Sequence, residues 1–179
     1  NLKAVNSYTL FGVDDEPIET VHEENIDNAN GTDLGFFATI GRPLGRWHVD
    51  FGLRGDGVWS KNTGGFFGDR STSNTALSGF AALAYELGSS LELTGQVARG
   101  FRDPLLSDRY YRGETGRGFI TGNPNLEPET SLQFDLALRY NPKLGSVGLY
   151  LYRYRIYDLI ERFRVGDDFF YNNRGEAEI

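Results

Sequence analysis

Apolar and polar positions alternate with a period of two over one segment after another, most clearly in Trp47–Trp59. Its odd positions read Trp47, Val49, Phe51, Leu53, Gly55, Gly57 and Trp59, while the even ones begin His48, Asp50, Gly52, Arg54 and Asp56. Successive side chains of a strand point to opposite faces, so the pattern predicts a β-strand with one apolar face. The same alternation predicts strands from Asp33 (Phe36, Ala38 and Ile40 against Phe37 and Thr39), over Leu77–Leu87, Leu91–Phe101 and Leu132–Tyr140, and over Val147–Phe163. Weaker strands are expected over residues 1–12 and from Phe169 to Ile179.

The connections fall into an order. Long polar stretches are expected as loops at 13–31, 60–75 and 102–129, a medium loop at Arg164–Asp168, and short turns near 41–46, 88–90 and 141–146. Long and short connections alternate, which describes an up-and-down antiparallel meander with its long loops at one end. Bacterial outer-membrane barrels have this asymmetry.

The strand Trp47–Trp59 also has the right height. Twelve residues at about 3.3 Å each span roughly 40 Å, or roughly 30 Å of height at a barrel tilt of about 35–45°. An outer-membrane barrel has an apolar band about 25 Å tall between two aromatic girdles, and Trp47 and Trp59 fit the two membrane interfaces. The fold class expected is all-β, with residues 1–179 a partial barrel domain of about eight antiparallel strands from a large transmembrane barrel. In Val147–Phe163 the face of Tyr150, Tyr152, Tyr154 and Ile156 is expected to point outward, because Arg153 and Arg155 are costly toward lipid. A soluble sandwich with both tryptophans in its core is the competing architecture.

Composition narrows the classes. With 39% hydrophobic and 24% charged residues the chain is not disordered, and without cysteine it forms no disulfide or thiolate metal site. A net charge of −7 argues against a nucleic-acid partner. The chain lacks methionine even at position 1, and its last strand still runs at Ile179, so it is expected to be a stretch of a longer protein.

The connection Gly100–Thr130 carries the most specific residues: Gly100, Phe101, Arg102 and Pro104, then Ser107-Asp108-Arg109-Tyr110, then Gly122, Asn123, Pro124, Leu126, Pro128, Glu129 and Thr130. With Gly52-Leu53-Arg54-Gly55-Asp56, Asp158-Leu159-Ile160 and Tyr171-Asn172-Asn173-Arg174-Gly175-Glu176-Ala177, the set resembles the barrel of TonB-dependent outer-membrane receptors. Gly55 departs from the family pattern, which often has an aromatic there. The resemblance implies a plugged 22-stranded barrel in the outer membrane of a Gram-negative bacterium, surrounded by outer-membrane lipid. It implies a receptor that binds a scarce nutrient such as an iron–siderophore complex, haem or cobalamin and imports it with energy from TonB. Plug and TonB box are not in this chain, which alone should not transport. A passive porin or an adhesin-like barrel is the alternative.

Physically, most of that signature suits structural duty, since the prolines restrict the residues before them to extended geometry. Glu129 is placed to pair with an arginine such as Arg102 near the rim. For cargo contact the candidates are Arg109, Tyr110, Tyr111, Arg112, Arg117 and Phe119, because guanidinium forks suit anionic chelates and rings suit flat aromatic ligands. Gly64-Gly65-Phe66-Phe67 is a second exposed apolar tip. The acidic run Asp14, Asp15, Glu16, Glu19, His22, Glu23 and Glu24 offers oxygen and imidazole ligands but lacks a metal-loop spacing, and is expected to be solvated. No cofactor, resident metal site or catalytic set is expected, and His48 is placed on the lumen side.

Overall fold

A computed structural model describes residues 2–11 and 13–179. Its elements are β1 (Leu2–Phe11), β2 (Pro17–Leu44), β3 (Trp47–Gly64), β4 (Gly68–Glu86), β5 (Leu91–Arg102), α1 (Leu106–Tyr110), β6 (Arg112–Thr115), β7 (Gly118–Thr121), β8 (Glu129–Tyr140), β9 (Val147–Tyr157), β10 (Ile160–Val165), β11 (Asp168–Asn173) and β12 (Glu176–Glu178). Asn1 and Gly12, the ends of the strand expected over 1–12, lie outside the described residues. Among the described residues, eight strands form one antiparallel sheet in the order β1-β2-β3-β4-β5-β8-β9-β12. With β1 and β12 at opposite edges, the sheet does not close on itself. A second sheet, β10-β11-β7-β6, is built from the connections and contains one parallel pairing, β11 with β7.

Two of the expected long loops are strand. The stretch 13–31 is β2 from Pro17 onward, paired with β1 from Phe11↔Pro17 to Leu2↔Ala29, and only its start forms a turn. The stretch 60–75 is the top of a hairpin whose register runs unbroken from Trp47↔Tyr85 to Gly64↔Gly68. These stretches lack an apolar face because they rise above the membrane band. The backbone ladder alone keeps them extended, and their polar side chains remain hydrated or meet other loops. Asn62, 1% exposed, closes the tip by donating from Nδ2 to the carbonyls of Gly64 (2.7 Å) and Gly68 (2.8 Å).

The end of the chain differs too. Val147–Phe163 is not one strand: β9 stops at Tyr157, and β10 and β11 form a hairpin around Gly166-Asp167 that joins the second sheet. Between β9 and β12 the connection therefore runs from 158 to 175. At the other end β2 and β3 turn tightly through Gly45 and Arg46, where Gly45 takes a φ of 67° that suits glycine.

Register decides which residues share a face, since directly opposed side chains project to the same side. One row runs Val49↔Leu83, Leu83↔Gly95, Gly95↔Leu136 and Leu136↔Leu151. Along this row and around it the face is apolar and exposed: Phe36 is 74%, Phe51 48%, Leu136 46% and Leu151 58% accessible. Soluble monomers rarely expose an apolar patch beyond a few hundred Å², so a continuous band of this kind faces lipid. Trp47 and Trp59 stand on it, each 45% exposed.

One expected face is reversed. Tyr150, Tyr152 and Tyr154 oppose Ala137, Asp135 and Gln133, so they point to the lumen. Arg153 and Arg155 oppose Phe134 and Leu132, so they stand on the lipid side. The cost of charge toward lipid misplaces them because a residue's face is set by its neighbours' register, whatever its own polarity. Replacing Leu151 by Arg should therefore cost about 2–4 kcal/mol of barrel stability, while Tyr152→Arg should be near neutral. Denaturant titration of the intact barrel in vesicles measures both, and the opposite ranking would overturn the face assignment.

Candidate functional site

The site begins where the ladder ends. β5 and β8 pair up to Arg102↔Glu129, and there the side chains meet in a fork: Arg102 donates from Nε to Glu129 Oε2 (2.7 Å) and from Nη2 to Oε1 (2.9 Å). Bidentate guanidinium–carboxylate pairs are among the stronger hydrogen-bonded contacts. Glu129 is 7% exposed and also accepts the Ile160 amide at 2.6 Å, tying the start of β10 to the same carboxylate.

From this point the chain folds back over the inner face of the tall β2–β3–β4 wall. α1 lies near Gly31, and the Asp108 carboxylate accepts the Leu105 amide (3.1 Å) at its start. Tyr110, 2% exposed, packs with Ile26 and Ala29 and lies edge-on to Phe67 at 6.2 Å between ring centroids. Arg109 is 1% exposed and donates from Nη1 to the Pro124 carbonyl (2.9 Å). Its Nη2 faces Asp103 Oδ2 at 3.8 Å, and Asn74 holds that carboxylate by a 2.6 Å bond.

A second set of bonds locks the two outer connections together. Asn123 donates from Nδ2 to the Tyr171 carbonyl (3.1 Å), while its Oδ1 accepts the Asn125 amide (3.0 Å). Asn173 accepts the Glu127 amide (2.9 Å) and donates to the carbonyls of Glu127 (3.0 Å) and Asp158 (2.6 Å). Gly122 runs hard against α1, where a Cβ would lie 2.8 Å from the Arg109 carbonyl, so only glycine fits. Leu126 is 3% exposed beneath this lock. Burial, and then the nearby Asp108 carboxylate, push the Tyr171 phenol above its ordinary pKa.

The outer surface of these connections carries guanidinium groups on aromatic rings. Arg112 lies 4.1 Å from the Phe66 ring centroid and 4.9 Å from that of Phe119. Arg162 covers Phe169 at 5.0 Å and Arg174 covers Phe163 at 4.4 Å. Arg117 is exposed at the β6–β7 tip, and Phe119 is half-buried. The Tyr111 hydroxyl donates to the Glu114 carbonyl (3.2 Å) and accepts from Asn6 (3.4 Å). In the acidic run, His22 bonds Ser7 (2.7 Å) and Glu24 pairs with Lys3. Among the described residues no three His, Asp or Glu side chains converge as metal ligands.

Residues 3–179 match the family model described as TonB dependent receptor-like, β-barrel. The chain belongs to that family. Such receptors reside in the outer membrane of Gram-negative bacteria, and so does this barrel. A curated relative, the iron-regulated outer membrane virulence protein of Vibrio cholerae, is 25% identical over 163 residues, covering 69% of this chain and 25% of its own length. The solved structure of the copper transporter OprC superposes with a TM-score of 0.73 at 19% identity, covering 95% of this chain and 27% of that one. The Serratia marcescens hemophore receptor HasR, solved as a double mutant with its hemophore HasA and heme, gives 0.74 at 15% identity, over 89% of this chain and 33% of that one. At these identities the structural likeness speaks for the fold. The chain spans about a quarter of the curated relative's length.

Of the six candidates expected at the surface, two are buried. Arg109 and Tyr110 are internal anchors, and further chain around them could only bury them more. Their placement follows from tertiary packing, since in sequence they look like the exposed arginine and tyrosine of any loop. Arg112, Tyr111, Arg117 and Phe119 stay at or near the surface. Phe163, Phe169, Arg162 and Arg174 were missed because β10 and β11 carry strand-like alternation and look like membrane strand. The signal available was the run Arg162-Phe163-Arg164 followed by Phe169-Phe170 and Arg174.

Arg102→Ala should leave the Glu129 carboxylate half-satisfied and cost about 1–2 kcal/mol locally, the Arg102 head being partly hydrated. Hydrogen exchange at the Ile160 amide should then accelerate about tenfold, and unchanged exchange would show that the fork does not hold the rim together.

Proposed function

We propose that this chain forms part of the wall and two extracellular connections of a receptor that captures a scarce nutrient as an anionic metal chelate or as haem, and imports it with energy from TonB. The observation that carries the reading is Arg112, a half-buried guanidinium 4.1 Å from the exposed Phe66 ring and 4.9 Å from the Phe119 ring. Such a surface offers charge and flat apolar area together, the two features an anionic aromatic chelate presents. The names of the relatives lend support: one is iron-regulated, one transports copper, and one was solved with heme. Arg117 and Tyr111 flank the same surface and belong to this proposed contact. Trp47 and Trp59 fit the membrane interfaces, and the signature from Gly100 to Glu129 holds the contact surface in place. The family is one of receptors, which favours binding and transport over catalysis.

Growth of a receptor-deleted strain on siderophores, haem, cobalamin and copper as nutrient sources, with the intact receptor restored, tests the reading. Uptake of at least one compound should require both the receptor and TonB; uptake independent of TonB would favour a passive pore. Arg112→Ala should weaken cargo affinity about tenfold with the melting temperature unchanged. Arg109→Ala, by contrast, should lower thermal stability. If Arg112→Ala binds as the parent does, cargo does not touch this surface.

A further inference from the structure

The lipid-facing wall carries a group of charges where an apolar band would be expected. The row Leu53↔Gly79, Gly79↔Arg99, Arg99↔Leu132, Leu132↔Arg155 and Arg155↔Glu178 places Arg99 and Arg155 on the same outer face, two strands apart. At about 4.8 Å per strand their backbones are roughly 10 Å apart. Arg153 joins them two residues along β9. Glu178 bridges Arg153 (2.7 Å) and Arg155 (2.6 Å) while Arg99 meets no carboxylate among the described residues, so the three guanidiniums and one carboxylate leave a surplus of two positive charges. Arg99 is exposed and donates to the Leu77 carbonyl (2.5 Å).

The group sits in the upper half of the wall, on a row that passes midway between Trp47 and Trp59 at Leu53 and rises toward β9. Arg99 is three residues below the end of β5 and Arg155 two below the end of β9. Rows climb across the sheet: the one that starts at Trp47, the foot of β3, reaches Leu149, two residues up from the foot of β9. Arginine toward lipid costs several kcal/mol at the midplane and little at the interface, where the long side chain can lift its head to the headgroups.

Two hollows meet at Arg99 on this face. The lower one, about 260 Å³, is walled by Phe51, Leu53, Leu77, Ala81, Val97 and Leu132. The upper one, about 560 Å³, opens where β4 parts from β5 and is lined by Thr75, Phe101, Pro128 and Thr130 with Arg99. An apolar seat below, a second hollow above that adds the hydroxyls of Thr75 and Thr130 to an apolar lining, and the Arg99 guanidinium between them match an amphiphile standing upright in the outer leaflet.

We propose that Arg99, Arg153 and Arg155 form a binding site for a phosphorylated lipid of the outer leaflet, with an acyl chain in the lower hollow and its phosphate on the guanidiniums. Arginine forks pair with phosphate bidentately, and the surplus charge supplies the electrostatic match. The site lies on the opposite side of the wall from any cargo, so it stands independently of the transported nutrient.

The test uses the intact receptor in nanodiscs of phosphatidylcholine doped with lipid A, followed by native mass spectrometry. The parent should retain lipid A in preference to phosphatidylcholine. Arg99→Gln with Arg155→Gln should retain about tenfold less, the scale of one lost charge-assisted contact, while Arg99→Lys should keep more than Arg99→Gln. Heat-modifiable migration checks that each variant is folded, and Arg99→Gln alone carries the same expectation if the double variant is not. Equal retention by parent and variants overturns the site. Displacement of lipid A by millimolar inorganic phosphate also overturns it, because a free anion would then suffice.

Discussion

In the hydrocarbon of a bilayer no water is available to a bare amide or carbonyl, so every backbone polar group of a spanning strand must be paired inside the protein. That constraint produces the long uninterrupted ladders between β2, β3, β4, β5, β8 and β9. Once the ladder is unbroken, register propagates a face from strand to strand, and no residue chooses its side alone. The exposed apolar row from Val49 to Leu151 and the outward arginines Arg99 and Arg155 are consequences of the same bookkeeping of hydrogen bonds.

Where lipid ends, the ladder is free to stop, and it stops at different heights. β3 and β4 continue to Gly64↔Gly68, while β4 and β5 part above Gly79↔Arg99. The unequal heights leave an upper wall against which the connection from 103 to 128 packs, with Tyr110, Ile26 and Ala29 as its small core. Arg102–Glu129 closes the rim, and Asn123 and Asn173 join the two outer connections through backbone bonds. A loop held at both ends and backed by a wall can present a surface of defined shape at little entropic cost on binding.

The arginines show how one residue type is divided by environment. Arg54 lies on the lumen face and forks to Asp56 at 2.9 Å, Arg102 closes the rim, and Arg109 is buried as an internal anchor. Arg112, Arg162 and Arg174 lie over rings on the outer surface, and Arg99, Arg153 and Arg155 stand toward lipid. The guanidinium is equally charged throughout. What differs is whether a carboxylate, a carbonyl, a ring or the membrane boundary lies within its reach.

The alternation of Trp47–Trp59 and its neighbours made the spanning strands, the short turns and the family signature legible, because a period-two pattern against lipid is a local property of the chain. Polar strand was not legible: Pro17–Gly31 and Ser60–Thr75 have no apolar face, and only partner strands across the ladder hold them extended. Nor was the fate of Arg109 and Tyr110, which depends on a wall contributed by residues some fifty to eighty positions away. The sequence alone determined the membrane-spanning β architecture through side-chain periodicity. Tertiary structure decided the face of β9, the burial of the loop anchors and the meeting of Arg99 with Arg155, because each is set by pairing between distant strands.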